Sequence, residues 1–484
     1  MDQTSPDPAS EGDNRSSLRF LTARLSRHQR ARPPPGRVLL ARGTAAPGAR
    51  PQSPRGFRVS PSAPAALLAA TGLLLAAPHA RAQASEPPQA AEPPVIQASE
   101  EGFSLSSADK AFVLKLRGQL QGDGRFFLED TDRTGTNTFI VRRMRPILDG
   151  TLFGFIDFRF MPDFGNGQSI IQDAYLDFRP GEWVRLRTGR FKTPFGLELL
   201  QSDMDNPFIE RSLTVDLVPN RDEGLELHGE GEGGRWQYSV AVVNGDPDGA
   251  STDANTDDSF DLAARVFALP FKGREPSFLQ GLGLGIAMTR GLQFGSAPNT
   301  GLAPFRSTGQ QVIFSYLSNA DTGVTVTAHG QHLRLSPQGH FYWGSFGILA
   351  EYVRSSQEVQ AADARVRLHH HAWQTAVSWV FGGKASFEGA RPAKAFDPKT
   401  LRGGALEVAA RYHALDLDDA AFPRFANPAR SVSSAKGFGV ATTFAFNRRV
   451  RFALNFHRTN FEGGAPEGDR APENALLSRF QLTF

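Results

Sequence analysis

The chain has 484 residues, no cysteine, 48 glycines, 38 phenylalanines and a mean hydropathy of -0.32. Without cysteine there is no disulfide framework, thiolate metal centre or cysteine nucleophile. The formal charge of +3 joins two unlike parts: residues 1–84 hold 12 basic and 4 acidic side chains, leaving 41 basic and 46 acidic residues downstream, so the high isoelectric point does not mark a nucleic-acid-binding protein.

Residues 1–58 are rich in Arg, Pro, Ser and Ala without an apolar period, and read as a disordered extension or as sequence upstream of the true translation start, for example at Val38. Residues 59–84 read as a secretory signal peptide. Arg55 and Arg58 precede the apolar run Ala63–Ala77, and Ala80, Ala82 and Ala84 offer small-residue cleavage positions. The run is shorter than the roughly 20 residues of a membrane-crossing helix; a buried alanine-rich helix is the structural alternative. Residues 85–110, opening SEPPQAAEPP, read as a periplasmic linker.

Residues 111–484 alternate with period two, the pattern of half-buried strands. Leu114, Leu116 and Leu120 alternate with Lys115, Arg117, Gln119 and Gln121; Val184 and Leu186 alternate with Arg185 and Arg187; Val450, Phe452, Leu454 and Phe456 alternate with Arg451, Asn455 and His457. Strands are expected near 112–128, 139–149, 151–162, 170–179, 183–191, 222–231, 235–244, 259–270, 281–290, 324–335, 340–353, 367–382, 404–417, 435–447, 449–461 and 475–484. That makes about sixteen, or eighteen if the leftover piece Gln311–Leu317 belongs to a further pair.

A soluble sandwich and a membrane barrel both alternate. Strand length near ten residues, short turns alternating with long polar loops, and the ending Arg479-Phe480-Gln481-Leu482-Thr483-Phe484 favour a transmembrane antiparallel β-barrel of the Gram-negative outer membrane. The ending resembles the C-terminal signal read by the barrel-assembly machinery, through Phe484. With the short turns periplasmic, 192–221 is the third extracellular loop and 291–323 the fifth, while 383–403 is a long periplasmic turn. Connections of such length are usually functional.

The residues now resemble a family, the phosphate-selective porins O and P, over about residues 102–484. The carriers are Gly102-Phe103-Ser104-Leu105, Leu116-Arg117-Gly118, Arg142-Arg143-Met144-Arg145-Pro146, Asp157-Phe158-Arg159, Gln172-Asp173-Ala174-Tyr175 and Gly189–Glu198, followed by Leu349-Ala350-Glu351-Tyr352, Leu406–Tyr412 and Phe484. The resemblance implies a passive porin for small anions such as phosphate or polyphosphate, assembled as a homotrimer, with no cofactor. It matches Arg142 and Arg143, with Arg145 in the same motif, to an arginine eyelet, and Asp173 to an acid that tempers anion affinity. Loop five departs from the pattern, with only Arg290 and Arg306 where such members cluster basic residues, and Leu199 replaces a basic residue.

On alternation alone, Lys115, Arg117, Arg125, Arg143, Arg185 and Arg187 face the lumen and Arg211 lies in loop three. Such positions suit an anion pore, and equally a lumen where arginines pair with Asp123, Asp157 and Asp173. Arg142 and Arg143, adjacent on one strand, would point to opposite faces; a bulge would turn both inward, or one would snorkel to the headgroups. The acidic stretch Asp246–Asp261 reads as a solvated loop, or as a site for divalent cations bridging lipopolysaccharide. His369, His370 and His371 alternate faces, so at most two could share a metal, and no second ligand set accompanies them. No Gly-x-Ser-x-Gly elbow or comparable motif suggests an enzyme. The alternative of another class is a structural or non-selective barrel with a plugged lumen and interacting loops.

Overall fold

The computed structural model describes residues 93–484 apart from 131–134, 252 and 319–322. The extension and signal peptide expected over 1–84 lie outside the described residues. Sixteen long strands follow in order: β1 Val113–Leu128, β2 Thr138–Leu152, β3 Ile156–Asp163, β4 Ile170–Phe178, β5 Arg185–Lys192, β6 Arg221–Gly231, β7 Trp236–Val243 and β8 Asp261–Ala268 make the first half. The second half is β9 Leu282–Phe294, β10 Val326–Trp343, β11 Phe346–Ala361, β12 Ala364–Phe381, β13 Ala405–Asp416, β14 Val432–Ala445, β15 Val450–Ala465 and β16 Glu473–Thr483. Each pairs antiparallel with the next, and β16 pairs with β1 from Asn474↔Leu128 to Thr483↔Gln119, so the sheet closes and leaves no edge along the seam.

The wall is inverted relative to a soluble protein. On β16, Leu476, Phe480 and Leu482 are exposed outside while Arg479, Gln481 and Thr483 are buried inside. The same holds for Leu225 and Leu227 on β6 and for Leu284, Ile286 and Met288 on β9. A continuous apolar outer belt of this kind has lipid as its solvent. No helix among the described residues is long and apolar enough to cross a membrane; the strands do.

Two expected turns are misplaced for one reason. The turn expected at Asp149-Gly150 lies at 153–155, and the one expected between 335 and 340 lies at Gly344-Ser345. Asp149 is a lumen partner of Arg117 and Arg159, and Ser336 and Gln338 are buried inward. Their turn-like chemistry belongs to a polar lumen. Gln311–Leu317 adds no wall strand; Val312–Phe314 pairs with Phe305–Arg306 in a small hairpin inside loop five.

The linker expected over 85–110 contains a hairpin, Val95–Ser99 with Gly102–Ser106, whose second strand pairs with the start of β1 from Phe103↔Leu116 to Ser106↔Val113. It occupies the β1 edge that β16 leaves below Gln119. Phe484 sits at that junction, exchanging backbone hydrogen bonds with Gly118 (3.1 and 2.9 Å), its ring edge-on to Phe103. A Cβ on Gly118 would lie 2.5 Å from that ring. Deleting Phe484 removes the last seam bonds and almost no lumen chemistry. The expected result is a low yield of heat-modifiable barrel with unchanged conductance per inserted channel; a normal yield would contradict it.

Loops and turns enter the lumen from both ends. At the long-loop end, L3 (193–220), L5 (295–325) and L7 (417–431) bury Phe195, Leu213, Leu217, Phe305, Phe314 and Phe425 against inward residues of β11 to β15. At the other end, the turn 382–404 meets L3, where Gln201 Nε2 donates to the Phe387 carbonyl (2.8 Å). This apolar filling occupies one side of the lumen. The two larger cavities lie mainly against β1 to β8.

Candidate functional site

L3 leaves β5 after a tight passage at Gly189, where φ is +117° and a Cβ would meet the Ala174 carbonyl at 2.2 Å. It then crosses to the far wall. Glu351 on β11 accepts the N–H groups of Leu197 (2.6 Å) and Glu198 (3.2 Å), which open its single helical turn, Leu197–Leu200. Glu198 accepts from Arg411 (3.0 Å), Ser212 Oγ (2.6 Å) and Gln374 (2.8 Å). Farther on, Asn455 accepts the Ile209 N–H (2.6 Å) and His413 Nδ1 the Leu213 N–H (3.0 Å). Motifs separated by some two hundred positions thus meet on one loop: Glu198, Glu351 and Arg411 each belong to a segment that carries the family resemblance.

The Arg142-Arg143 pair is a β-bulge. Gln121 faces Arg143 and Gly122 faces Val141, leaving Arg142 as the extra residue. Both guanidinium groups reach the lumen. Arg142 pairs with Glu210 of L3 (3.0 Å), as does Arg125 (2.9 Å); Arg143 donates to Gln121 (2.8 Å) and lies 3.1 Å from Asp203 of L3.

Asp203 is the centre of the arrangement. Its carboxylate also meets Arg145 (2.8 Å) and Arg211 (2.5 Å), and Arg145 reaches Asp163 as well (2.6 Å). Burial pushes the Asp203 carboxyl up, but Arg143, Arg211 and Arg145 outweigh it and hold it well below the usual carboxylate range. Glu210 behaves alike: burial opposes ionisation, while Arg142 and Arg125 keep it ionised.

Two cavities meet at this level. The upper one, about 260 Å³, and the lower one, about 390 Å³, share Arg145, Asp203 and Arg221 as lining. Those three residues stand where the two cavities adjoin, here called the neck. Seven cationic side chains face four carboxyls in the upper cavity, and seven face three in the lower. Among the described residues, three of these cations meet no carboxylate. Lys192 donates to the carbonyls of Leu199 (2.5 Å) and Gln201 (3.2 Å), Arg265 to Gln338 (3.0 Å), and Arg306 to the Gln310 carbonyl (3.0 Å).

Other expected site residues fall at different heights. Arg117 lines the lower cavity and is paired with Asp149; Arg187 lines it too, between Asp177 and Glu226 (2.8 Å each) and 4.7 Å from the Tyr175 ring. Arg185, tied to Asp157 (2.7 Å) and Asp177 (3.1 Å), and Lys115, exposed opposite Asp149, lie outside both cavities toward the turn end. Asp173, matched by resemblance to an acid that tempers anion affinity, pairs with Arg221 (2.8 Å), with Arg159 at 3.9 Å, and not with Arg142 or Arg143. Most lumen arginines are therefore paired, several of them with Asp123, Asp149 and Asp177 just behind the lining, and among the side chains that line the cavities cations outnumber carboxyls. Sequence reasoning did not single out Asp203, Arg221, Lys192 or Glu210 from the mixed charges of L3, because partners across a lumen have no sequence spacing.

The acidic stretch 246–261 is not simply a solvated loop. Asp248 is buried against Arg334 (2.6 Å), Ser355 Oγ (2.5 Å) and His332 (3.2 Å), and Asp253 reaches Arg190 (2.9 Å). The Ser355 hydroxyl donates to the acid rather than to the imidazole, so the group is a clamp holding the loop to the wall. His369 and His371 face outward, and His370 is buried against Tyr316 (3.0 Å).

In L3, Asp216 accepts the Arg306 N–H of L5 (3.0 Å), and burial pushes its carboxyl up to about 8. An unfolded aspartate ionises near 3.8, so keeping Asp216 protonated costs the folded state progressively more from there up to about pH 8. Asp216→Asn needs no proton. Its unfolding temperature should rise relative to the parent as pH goes from about 5 to about 8; two parallel curves would contradict this.

The chain matches the family described as phosphate-selective porin O and P over residues 114–484. It belongs to that family. No curated protein matched it. Among solved structures, the outer membrane channel DcaP of Acinetobacter baumannii is 12% identical, covering 79% of this chain and 100% of that one at a TM-score of 0.51. An anion-selective porin from Comamonas acidovorans is 10% identical, with 77% and 99% covered at 0.48. OmpT of Vibrio cholerae, in trimer form, is 10% identical, with 77% and 100% covered at 0.47. At these identities the likeness is one of fold. The porin is an outer-membrane channel of a Gram-negative envelope, and its apolar outer belt is its lipid contact.

Proposed function

We propose that this porin passes small anions, phosphate or polyphosphate among them, and that the neck of Arg145, Arg221 and Asp203 sets the selectivity. The supporting observation is the excess of cations lining the cavities, five against three carboxyls above the neck and five against two below it, with two arginines and one aspartate at the neck itself. Fixed positive charge in a low-dielectric wall concentrates anions, and guanidinium forks suit two oxygens of one oxyanion. Asp203, Asp163 and Asp173 compete with the passing ion for the same arginines, which keeps the site weak enough to release it.

Phosphate block of chloride current in planar bilayers tests the reading. Arg142→Ala/Arg143→Ala should weaken the block, and Asp173→Asn, which frees Arg221, should strengthen it. Block unchanged in both variants would make these residues structural. The apolar filling against β11 to β15 supports a second reading, a plugged barrel that serves through its loops. Single-channel conductance separates the two at once.

A homotrimer fits the low side of the wall, where β3, β5, β7 and β8 have eight residues each against the nine to eleven or so that a crossing strand needs. A neighbouring subunit would cover that short apolar face.

A further inference from the structure

The opposite side of the wall is tall, and its outer face changes character part-way up. β10 and β12 have 18 residues each and β11 has 16. Along β12 the outward positions Phe381, Trp379, Val377 and Trp373 are apolar and exposed. From Phe381 to Trp373 is eight steps of about 3.3 Å, or about 26 Å along the strand, which at a tilt of about 40° is about 20 Å of height and spans most of a barrel's apolar band of about 25 Å. The next outward positions are His371, His369, Arg367 and Arg365, all exposed, while Leu368, His370 and Ala372 between them are buried inward.

The neighbouring strands change at the same height. On β11 the aromatic Tyr352 lies opposite Trp373, and the next outward residue, Arg354, lies opposite His371. Arg354 approaches His369 Nδ1 (3.4 Å), and Arg365 contacts His329 of β10 and donates to Gln360 (3.0 Å). Three carboxylates face the group: Glu358 on Arg367, Asp416 on His371 (3.4 Å) and Asp418, which accepts the His369 N–H (2.8 Å). Three arginines and three imidazoles therefore stand just above an aromatic rim formed by Tyr352, Trp373 and Tyr412, on the side away from the lumen.

We propose that this patch binds the phosphate groups of outer-leaflet lipopolysaccharide. The inference rests on the outer-membrane placement with the long-loop end outward, and is independent of the ion that the lumen conducts. The layering specifies the occupant. Aromatic side chains mark the boundary of the hydrocarbon, the apolar positions below it suit acyl chains, and the arginine forks above it suit phosphate oxygens. A free anion would use only the upper half of this surface. The patch would hold a ring of lipid on the tall side of the barrel while the low side meets its neighbours.

The test uses the full-length porin in detergent, titrated with bis-phosphorylated lipid A, with the same lipid stripped of both phosphates, and with inorganic phosphate, bound lipid being counted by native mass spectrometry. Wild type should hold the phosphorylated lipid and hold the stripped lipid far less well, and inorganic phosphate should not displace it. Arg354→Gln/Arg365→Gln/Arg367→Gln should weaken binding by about a hundredfold, taking each basic residue at a membrane surface at its usual worth. Single-channel conductance and heat-modifiability should stay unchanged, because these side chains face away from the lumen. The corresponding triple Lys variant should keep most of the binding. Equal binding of stripped lipid by wild type would overturn the proposal without recourse to any variant. So would unchanged binding by the folded Gln variant, displacement by inorganic phosphate, or loss of trimer in place of loss of lipid.

Discussion

Asp203→Ala is expected to be the most damaging single change in the lumen. Asp203 is met by Arg143, Arg145 and Arg211 at 3.1, 2.8 and 2.5 Å, and its side chain is only 7% exposed although it borders both cavities. Its removal leaves three arginines repelling one another, with only Asp163 still paired to one of them. Stripping one partner from a buried ion pair costs about 3–5 kcal/mol, and here one carboxylate serves three cations. Two consequences should appear together: a clear fall in the temperature at which the barrel band unfolds on gels, and a larger, noisier conductance as the middle of L3 leaves the wall. Asp203→Asn keeps the shape and two of the oxygen-to-nitrogen contacts, so its conductance should change less than that of the alanine variant. Wild-type conductance and unfolding temperature in Asp203→Ala would show that L3 is held by Glu351, Arg411 and Asn455 alone.

The largest change in selectivity is expected from Arg145→Gln with Arg221→Gln. These are the two cations lining both cavities, and each balances a carboxylate that would remain: Asp163 and Asp203 for Arg145, Asp173 for Arg221. Replacing both converts a neck of two positive charges and one negative into one with negative charge only. Anion preference should be lost and turn toward cations, whereas Arg142→Ala/Arg143→Ala, above the neck, should reduce the preference without reversing it. Equal shifts in the two double variants would place the selective step at the bulge instead of at the neck.

How much of this could be read in advance depended on whether the governing interaction is local. Period-two alternation is local, and it located all sixteen wall strands, although the connection expected over 354–366 is a two-residue turn at 362–363 because both flanking strands run on above the membrane. The doublet Arg142-Arg143 was also legible, since two neighbouring arginines cannot both face inward on a regular strand, and the bulge opposite Gln121 and Gly122 is the solution found. Turn chemistry misled where the lumen itself is polar: Asp149, Ser336 and Gln338 look like turn residues because they face the channel. The same ambiguity hid the hairpin before β1, whose Pro- and Glu-rich approach looks like linker although Phe103 and Leu105 pair with β1.

The pairings across the lumen were the least legible. Asp173 lies on the wall in a recognisable context, yet its partner Arg221 is the first residue of a strand two places along the sheet. Asp203 looked like one acid among several in L3, and nothing in its neighbours shows which wall residues L3 meets when it turns inward. That trajectory is fixed by Glu351, Arg411 and Asn455 on far strands. Their motifs could be seen singly in the sequence, but their common target could not.

The reversal potential of the wild-type porin across a potassium chloride gradient in a planar bilayer tests the central claim most directly. With five lining cations against two carboxyls below the neck, five against three above it and two against one at the neck itself, the potential should carry the sign of chloride preference and move toward zero when phosphate is added and competes for the neck. A potential of the opposite sign, or one at zero that phosphate leaves unchanged, would contradict an anion-selective pore.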